Sequence, residues 1–166
     1  IINDQNIDNE EKWSFLYLRG ICYERINNWQ LAEDDFIHSL EINSESPQVL
    51  NYLAYGWIER NIFLDRSLEM LKKAYEKNPD SHYILDSLAW AYFKKEDFEI
   101  ASKLMEEVTI MAPGEAISLD HLGDIYFAMG REREAIYMWK QANDLAEPED
   151  NIIGGIQKKL EMYDAG

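Results

Sequence analysis

Apolar residues recur along this chain with a period close to 34 residues. The recurring positions hold leucines, then small residues, then large aromatic residues. They are Leu16, Leu50, Leu85 and Leu119; Gly20, Ala54, Ala89 and Gly123; and Tyr23, Trp57, Tyr92 and Tyr126. Because each set advances by 34, 35 and 34 residues, the chain contains an internal repeat. We predict four contiguous units, residues 13–46, 47–81, 82–115 and 116–149.

Each unit is predicted to form a pair of amphipathic helices. In the third unit, Leu85, Leu88 and Tyr92 follow the spacing of three and four that is typical of a helix with one buried face. Ala101 and Met105 begin a second run of the same kind after a short polar break. The small residue of each first helix lets the second helix approach closely. We therefore expect every unit to be a helical hairpin with the repeated residues in its core.

The two ends of the chain depart from the repeat. After residue 148, apolar residues spaced three, four and three apart predict a terminal helix with charged residues on its other face. The apolar positions are Ile153, Ile156, Leu160 and Tyr163, and the charged ones are Lys158, Lys159 and Glu161. We interpret residues 150–166 as a capping helix and tail, which a stack of hairpins needs at its exposed end. Residues 1–12 are interpreted as the remnant of a preceding segment.

Helical hairpins with these residues at these offsets resemble tetratricopeptide repeats. The match covers residues 13–149 and includes DSLAWAYF in the third unit and DHLGDIYFAMGREREA in the fourth. These segments resemble the C-terminal repeats of large alpha-proteobacterial members of the family. The resemblance implies an all-α fold, a right-handed α-α superhelix of four helix-turn-helix repeats plus a C-terminal capping helix. It also implies a bacterial interaction scaffold, and it favours the cell envelope over the cytoplasm because such proteins often carry an export signal.

The resemblance further implies a concave groove lined by the first helix of each hairpin. The residues predicted to face it are Tyr17, Asn51, Tyr55, Tyr83, Asp86, Trp90, Phe93, Asp120, Asp124 and Phe127. This set is aromatic and acidic and holds no cation, which disfavours recognition of a peptide carboxylate. It favours a partner peptide or helix that is basic with apolar anchors, because aromatic residues dominate binding hot spots and carboxylates attract Lys and Arg.

Two alternatives remain open on the sequence alone. The groove aromatics can pack on one another instead of on a ligand. The array can also act as a structural spacer or self-association module that stacks end to end with itself, as a homodimer, or with N-terminal repeats.

The composition of the chain favours a protein partner over nucleic acid or a membrane. The chain of 166 residues has 32 acidic and 16 basic side chains, and its formal charge of −16 repels nucleic acid and anionic membrane surfaces. No apolar run is long enough to span a bilayer, so we expect no direct membrane insertion.

Motifs for catalysis, metal binding or cofactor binding are not found in the sequence. His121 with Asp120 and Asp124 comes nearest to a metal set, but side chains one position apart diverge on a helix. We therefore interpret His121 as a helix-face histidine. The single cysteine, Cys22, is interpreted as a small buried hydrophobic residue. The sequence thus predicts no cofactor, no metal and no enzymatic activity.

Overall fold

The computed structural model describes residues 9–163, and within this range all regular structure is helical. The helices are α1 (Asn9–Arg25), α2 (Trp29–Ile42), α3 (Pro47–Glu59), α4 (Leu64–Lys77), α5 (His82–Lys94), α6 (Phe98–Met111), α7 (Ala116–Ala128), α8 (Glu132–Leu145) and α9 (Ile153–Tyr163). A short 3-10 helix, Pro148–Asp150, precedes α9. The described range contains no β-strand, and the predicted all-α class is confirmed.

The described helices form two compact units that divide between Asn78 and Pro79. The first unit contains α1 to α4, and the second contains α5 to α9. In both units the two helices of a hairpin pack together, α1 with α2, α3 with α4, α5 with α6 and α7 with α8. The second helix of one hairpin then packs on the first helix of the next, α2 on α3 and α6 on α7, and α9 packs on α8. Neighbour contacts therefore build each unit, as they do in other repeat proteins.

A glycine in the first helix permits the closest helix contacts. Gly20 of α1 lies against Phe36 of α2, and a Cβ atom on Gly20 would be 2.6 Å from the Phe36 ring. Gly123 of α7 lies against Trp139 of α8, where the same distance would be 2.4 Å. Real Cβ atoms do not approach other atoms this closely. The small residue predicted at this point of the repeat is therefore required for the hairpin to close.

The core of the first unit is rich in aromatic side chains. Phe36, Leu53 and Trp57 are fully buried and pack in one cluster. The rings of Tyr17 and Tyr52 flank this cluster and meet edge to face, with 5.5 Å between their centroids. In the second unit the largest buried side chains are Leu85, Met105, Leu122, Ile125, Trp139 and Ile156.

Most residues predicted to form the core are buried, but three are only half-buried. Gly20, Ala54, Trp57, Ala89, Gly123, Tyr126 and Trp139 are buried, whereas Leu16, Tyr23 and Tyr92 keep part of their surface in solvent. The interpretation of Cys22 as a buried residue is wrong, because its side chain is exposed. α1 packs against α2 on its other side, and the described residues leave the Cys22 face uncovered.

The turn inside each hairpin contains a residue in the left-handed backbone region at the same point of the repeat. These residues are Asn27, Asn61, Glu96 and Gly130, with φ of 58°, 56°, 63° and 75°. The turn of the second hairpin, between α3 and α4, holds a further left-handed residue, Phe63, with φ of 50°. Glycine adopts this conformation without steric cost, and asparagine tolerates it well. Glutamate does not share that tolerance, so the third hairpin holds a strained turn residue.

We expect Glu96→Gly to stabilise the chain by about 0.5–1 kcal/mol and Gly130→Ala to destabilise it by about 1 kcal/mol. A Cβ atom on Gly130 would meet nothing within 4 Å, so its effect reports backbone conformation alone. Urea denaturation followed by circular dichroism measures both changes. Gly155→Ala is the matched control, because Gly155 is also in open space but lies within helix α9. An unchanged midpoint for Gly130→Ala would contradict the assignment of strain to this turn.

Candidate functional site

The ten residues predicted to line a groove all lie on the first helices of their hairpins. Tyr17 is on α1; Asn51 and Tyr55 are on α3; Tyr83, Asp86, Trp90 and Phe93 are on α5; and Asp120, Asp124 and Phe127 are on α7. Their side chains differ widely in exposure. Tyr83 is 62% exposed, whereas Asp86 and Trp90 are 7% and 6% exposed. The set therefore divides by exposure into side chains that are accessible from solvent and side chains that are buried against other residues of the chain.

In the first unit, the predicted groove residues are half-buried. Tyr17 packs between Tyr52 and Phe36, at centroid distances of 5.5 and 6.4 Å. Burial, together with the neighbouring Tyr52, raises the pKa of the Tyr17 phenol to about 12. Asn51 and Tyr55 on α3 each keep part of their surface in solvent.

Asp86 lies at the centre of a polar network in the second unit. Ser118 Oγ donates a hydrogen bond to Asp86 Oδ2 at 2.7 Å, and His121 Nδ1 lies 2.9 Å from Asp86 Oδ1. Both partners belong to α7, so the network joins the first helices of two successive hairpins. His121 lies on the face of α7 that meets α5, and its side chain is buried. The carboxylate of Asp86 is engaged inside the unit.

These contacts change the pKa of His121. Burial lowers the pKa of His121, but the charge of Asp86, its hydrogen bond, and the charges of Asp120 and Asp124 outweigh this effect. The net pKa of His121 is therefore raised above its ordinary value. Trp90 covers the imidazole, with 4.0 Å between the ring centroids and 15° between the planes.

Trp90 lies in a stack of rings between His121 and Phe93. Its other neighbour in the stack is Phe93, at a centroid distance of 4.5 Å and an interplanar angle of 19°. Lys94 Nζ lies 5.0 Å from the centroid of the indole ring. Trp90 thus contributes to the packing of α5 on α7, and 6% of its surface is exposed. Its contact with a ligand stays a prediction.

The acidic residues of α7 are paired with the terminal helix. Lys159 Nζ lies 2.8 Å from Asp120 Oδ1 and 2.6 Å from Asp124 Oδ1. Lys159 was expected on the polar outer face of α9, but its side chain is turned towards α7 and is 26% exposed. Burial raises the pKa of the Asp120 carboxyl, and Lys159 offsets this only in part. One lysine therefore forms ion pairs with two predicted groove residues.

Aromatic packing lies beside this ion pair. The ring centroids of Phe127 and Tyr163 are 4.4 Å apart, and Tyr163 is 6.0 Å from Trp139. Lys159 and Tyr163 are four positions apart on α9, so they lie on one face of that helix. This face meets a pair of carboxylates and a pair of rings.

Three partners of the groove residues are not apparent from the repeat pattern alone: Ser118, His121 and Lys159. A signal for His121 does exist, because it lies 35 residues after Asp86 and so at nearly the same level of the next hairpin. Lys159 has no such signal, since α9 lies outside the repeat register.

The described side chains of His, Cys, Asp and Glu form no group of three that could hold a metal ion. Among the helices between residues 9 and 163, none is both long enough and apolar enough to cross a membrane.

Comparison with known sequences identifies partial relatives. No family model matches the chain. A TPR repeat-containing protein of Pseudomonas aeruginosa is 25% identical over 114 residues, which is 69% of this chain and 19% of that protein. The mouse BBSome complex member BBS4 is 28% identical over 87 residues, which is 52% of this chain and 16% of that protein. The chain thus spans a fifth or less of the length of these relatives.

Comparison with solved structures identifies the fold. A thermophilic TPR protein of Thermus thermophilus aligns with a TM-score of 0.77 at 19% identity, covering 89% of this chain and 82% of that one. MamA AMB-1 aligns with a TM-score of 0.65 at 21% identity, covering 84% and 82%. The first TPR domain of human RPAP3 gives 0.64 at 16% identity, covering 74% and 95%. The chain has the tetratricopeptide repeat fold, and the resemblance to tetratricopeptide repeat proteins is confirmed.

We expect the pair formed by His121 and Asp86 to stabilise the second unit more at low pH than at high pH. A histidine whose pKa is raised on folding contributes its full stabilisation below its unfolded pKa of about 6.5 and loses it as the pH rises through the folded value. The difference in Tm between the wild type and His121→Gln should therefore be larger at pH 6 than at pH 9. His38→Gln, on the exposed side of α2, is the control. Equal differences at both pH values would show that the charge of His121 contributes nothing.

We expect Lys159→Ala to destabilise the packing of α9 by about 1–2 kcal/mol, because two partly buried carboxylates lose their cation. Lys158→Ala is a matched control, since Lys158 is the neighbouring lysine and is exposed. Thermal unfolding and limited proteolysis near Gly154 measure the effect. If the two variants are equally stable and equally resistant, the ion pair does not hold the helix.

Proposed function

We propose that this chain is a protein–protein interaction scaffold that binds a basic peptide or helix of a partner on the first helices of its hairpins. Tetratricopeptide arrays use the surfaces of their stacked hairpins for such binding. The observation that carries the proposal is the contact of α9 with α7. There a lysine and a tyrosine of one helix meet two carboxylates and two rings of the array.

This contact indicates the chemistry that suits the surface. A helix with a lysine and an aromatic residue four positions later satisfies both the charges and the rings. A partner segment with the same pattern matches the acidic and aromatic residues of the first helices. The formal charge of −16 also favours approach of a basic segment from a distance. The partner that we propose is therefore basic and carries apolar anchors.

The aromatic residues that remain accessible to solvent support a binding site on the first helices. Tyr83 is 62% exposed, and Tyr55 and Phe93 are half-buried. Tyrosine and phenylalanine give a large contact area with few rotatable bonds, so they lose little entropy on binding. Asp86 and Trp90 support the site indirectly, because they hold α7 beside α5.

A pull-down from bacterial lysate tests the proposal. The baits are the wild-type chain, Tyr55→Ala/Tyr83→Ala, and Tyr137→Ala. Tyr137 is the matched control because it is 56% exposed but lies on the second helix α8. We expect a protein that both the wild type and Tyr137→Ala retain, that the double variant retains at least tenfold less, and that salt releases. Circular dichroism confirms that the three baits are folded.

Equal retention by all three baits would contradict a site on the first helices. Loss on Tyr137→Ala alone would move the site to the second helices. Release only by detergent, with no effect of salt, would contradict a basic partner.

A further inference from the structure

The surface of α7 and α8 that α9 covers contains a site for a lysine side chain. Lys159 Nζ lies 2.8 Å from Asp120 Oδ1, 2.6 Å from Asp124 Oδ1 and 5.5 Å from the centroid of the Trp139 ring. Trp139 Nε1 donates a hydrogen bond to Asp124 Oδ1 at 3.0 Å, which orients that carboxylate. Carboxylates and an aromatic face both attract an ammonium ion. We call Asp120, Asp124 and Trp139 the lysine site.

Two apolar contacts fix the register of α9 on either side of the lysine site. Ile156 lies three positions before Lys159 and is fully buried. Tyr163 lies four positions after Lys159, and its ring centroid is 4.4 Å from that of Phe127. Spacings of three and four place the three side chains on one face of a helix. The surface therefore accepts a helix with an apolar residue, a lysine and an aromatic residue at positions i, i+3 and i+7.

The first turn of α9 weakens the helix that fills this surface. It contains Gly154 and Gly155, and only proline is less favourable than glycine inside a helix. A Cβ atom on either glycine would meet nothing within 4 Å, so alanine fits at both positions. The last turn is open to solvent, with Met162 at 68% and Tyr163 at 43% exposure. The docked helix is thus less stable than its contacts with α7 and α8 permit.

We propose that α9 is an internal ligand, which closes the α7 part of the binding surface and is displaced by a partner helix with the same pattern of side chains. The displacement rests on the proposed function and adds a regulatory step to it. A partner lysine replaces Lys159 one for one, so the same ion pairs exist before and after the exchange. The helix stability of α9 and the concentration of the partner then decide which helix occupies the surface.

A peptide with the sequence of residues 150–163 is the probe that tests the proposal. Fluorescence anisotropy measures its binding to the full chain and to the full-chain variant Lys159→Glu, in which Asp120 and Asp124 repel the tethered α9. A tethered helix competes at an effective concentration on the order of millimolar, so the wild type should bind the peptide weakly. We expect Lys159→Glu to bind it at least about tenfold more tightly.

Two matched controls isolate the lysine site. Lys158→Glu makes the same change of charge at the neighbouring exposed lysine, and it should bind the peptide as weakly as the wild type does. A peptide that carries Lys159→Gln should bind the open variant roughly tenfold less than the natural peptide, because it brings no cation to the two carboxylates. Circular dichroism checks that each variant is folded, and hydrogen exchange of the α9 amides checks that Lys159→Glu releases the helix.

Gly154→Ala/Gly155→Ala tests the same exchange without removing a contact. Because alanine favours the helix, α9 should stay docked for a larger fraction of the time. We expect its amides to exchange about fivefold more slowly and the peptide to bind about fivefold more weakly than to the wild type. If Lys159→Glu does not fold, this comparison decides the outcome. Unchanged peptide binding by the double alanine variant would overturn the proposal.

The remaining outcomes separate this proposal from the proposed function. If Lys159→Glu releases α9 but does not bind the peptide, the internal-ligand proposal is wrong, while a partner site that uses Tyr55 and Tyr83 still stands. Equal peptide binding by the wild type and Lys159→Glu would also overturn it, because α9 would then not close the surface. If the peptide binds as expected but the pull-down baits retain the same proteins, the proposed function fails and the lysine site remains.

Discussion

The close approach of two helices inside each hairpin is the constraint on which the rest of this structure depends. In the first and fourth hairpins, a glycine on the first helix packs against a ring on the second, Gly20 against Phe36 and Gly123 against Trp139. At the same offset of 16 residues, the other two hairpins have an alanine and a methionine: Ala54 and Met70, and Ala89 and Met105. Because protein interiors are close-packed, we expect the smaller residue to compensate for the larger one and to keep the helix spacing similar from one hairpin to the next.

In the second unit, the terminal helix completes the last hairpin. Ile156 of α9 is fully buried, and Lys159 forms ion pairs with Asp120 and Asp124. In the first unit, Phe15 and Leu18 of α1 stay exposed to solvent. A segment of the same chain thus covers the last hairpin, whereas the described residues leave apolar side chains of α1 in solvent.

The repeat made most of the fold predictable, because a residue that recurs at every 34th or 35th position must serve the same contact each time. The repeat spacing therefore predicts the hairpins and the burial of Trp57 and Trp139. The terminal helix is predicted separately, from apolar residues three and four positions apart. It does not predict contacts that only one hairpin makes. The pairing of Asp86 with His121 depends on a histidine that the other hairpins lack at that level, where they have Leu18, Tyr52 and Ser87. Lys159 lies outside the repeat register. Cys22 was wrongly expected to be buried, because its position is buried in α3 only where α2 covers it.

For the proposed function, these contacts also affect which of the predicted groove residues can recognise a partner. A carboxylate that is already paired inside the chain gains little from a ligand cation, because the ligand must first replace the existing partner. Asp86, Asp120 and Asp124 are all paired in this way. Their charges still act on an approaching molecule through the field of the whole protein, which affects the rate of association more than the stability of the complex. We therefore expect selectivity at short range to come from the accessible aromatic residues, chiefly Tyr83 and Tyr55. The shape of the proposed partner's apolar anchors should then matter more than its number of basic residues.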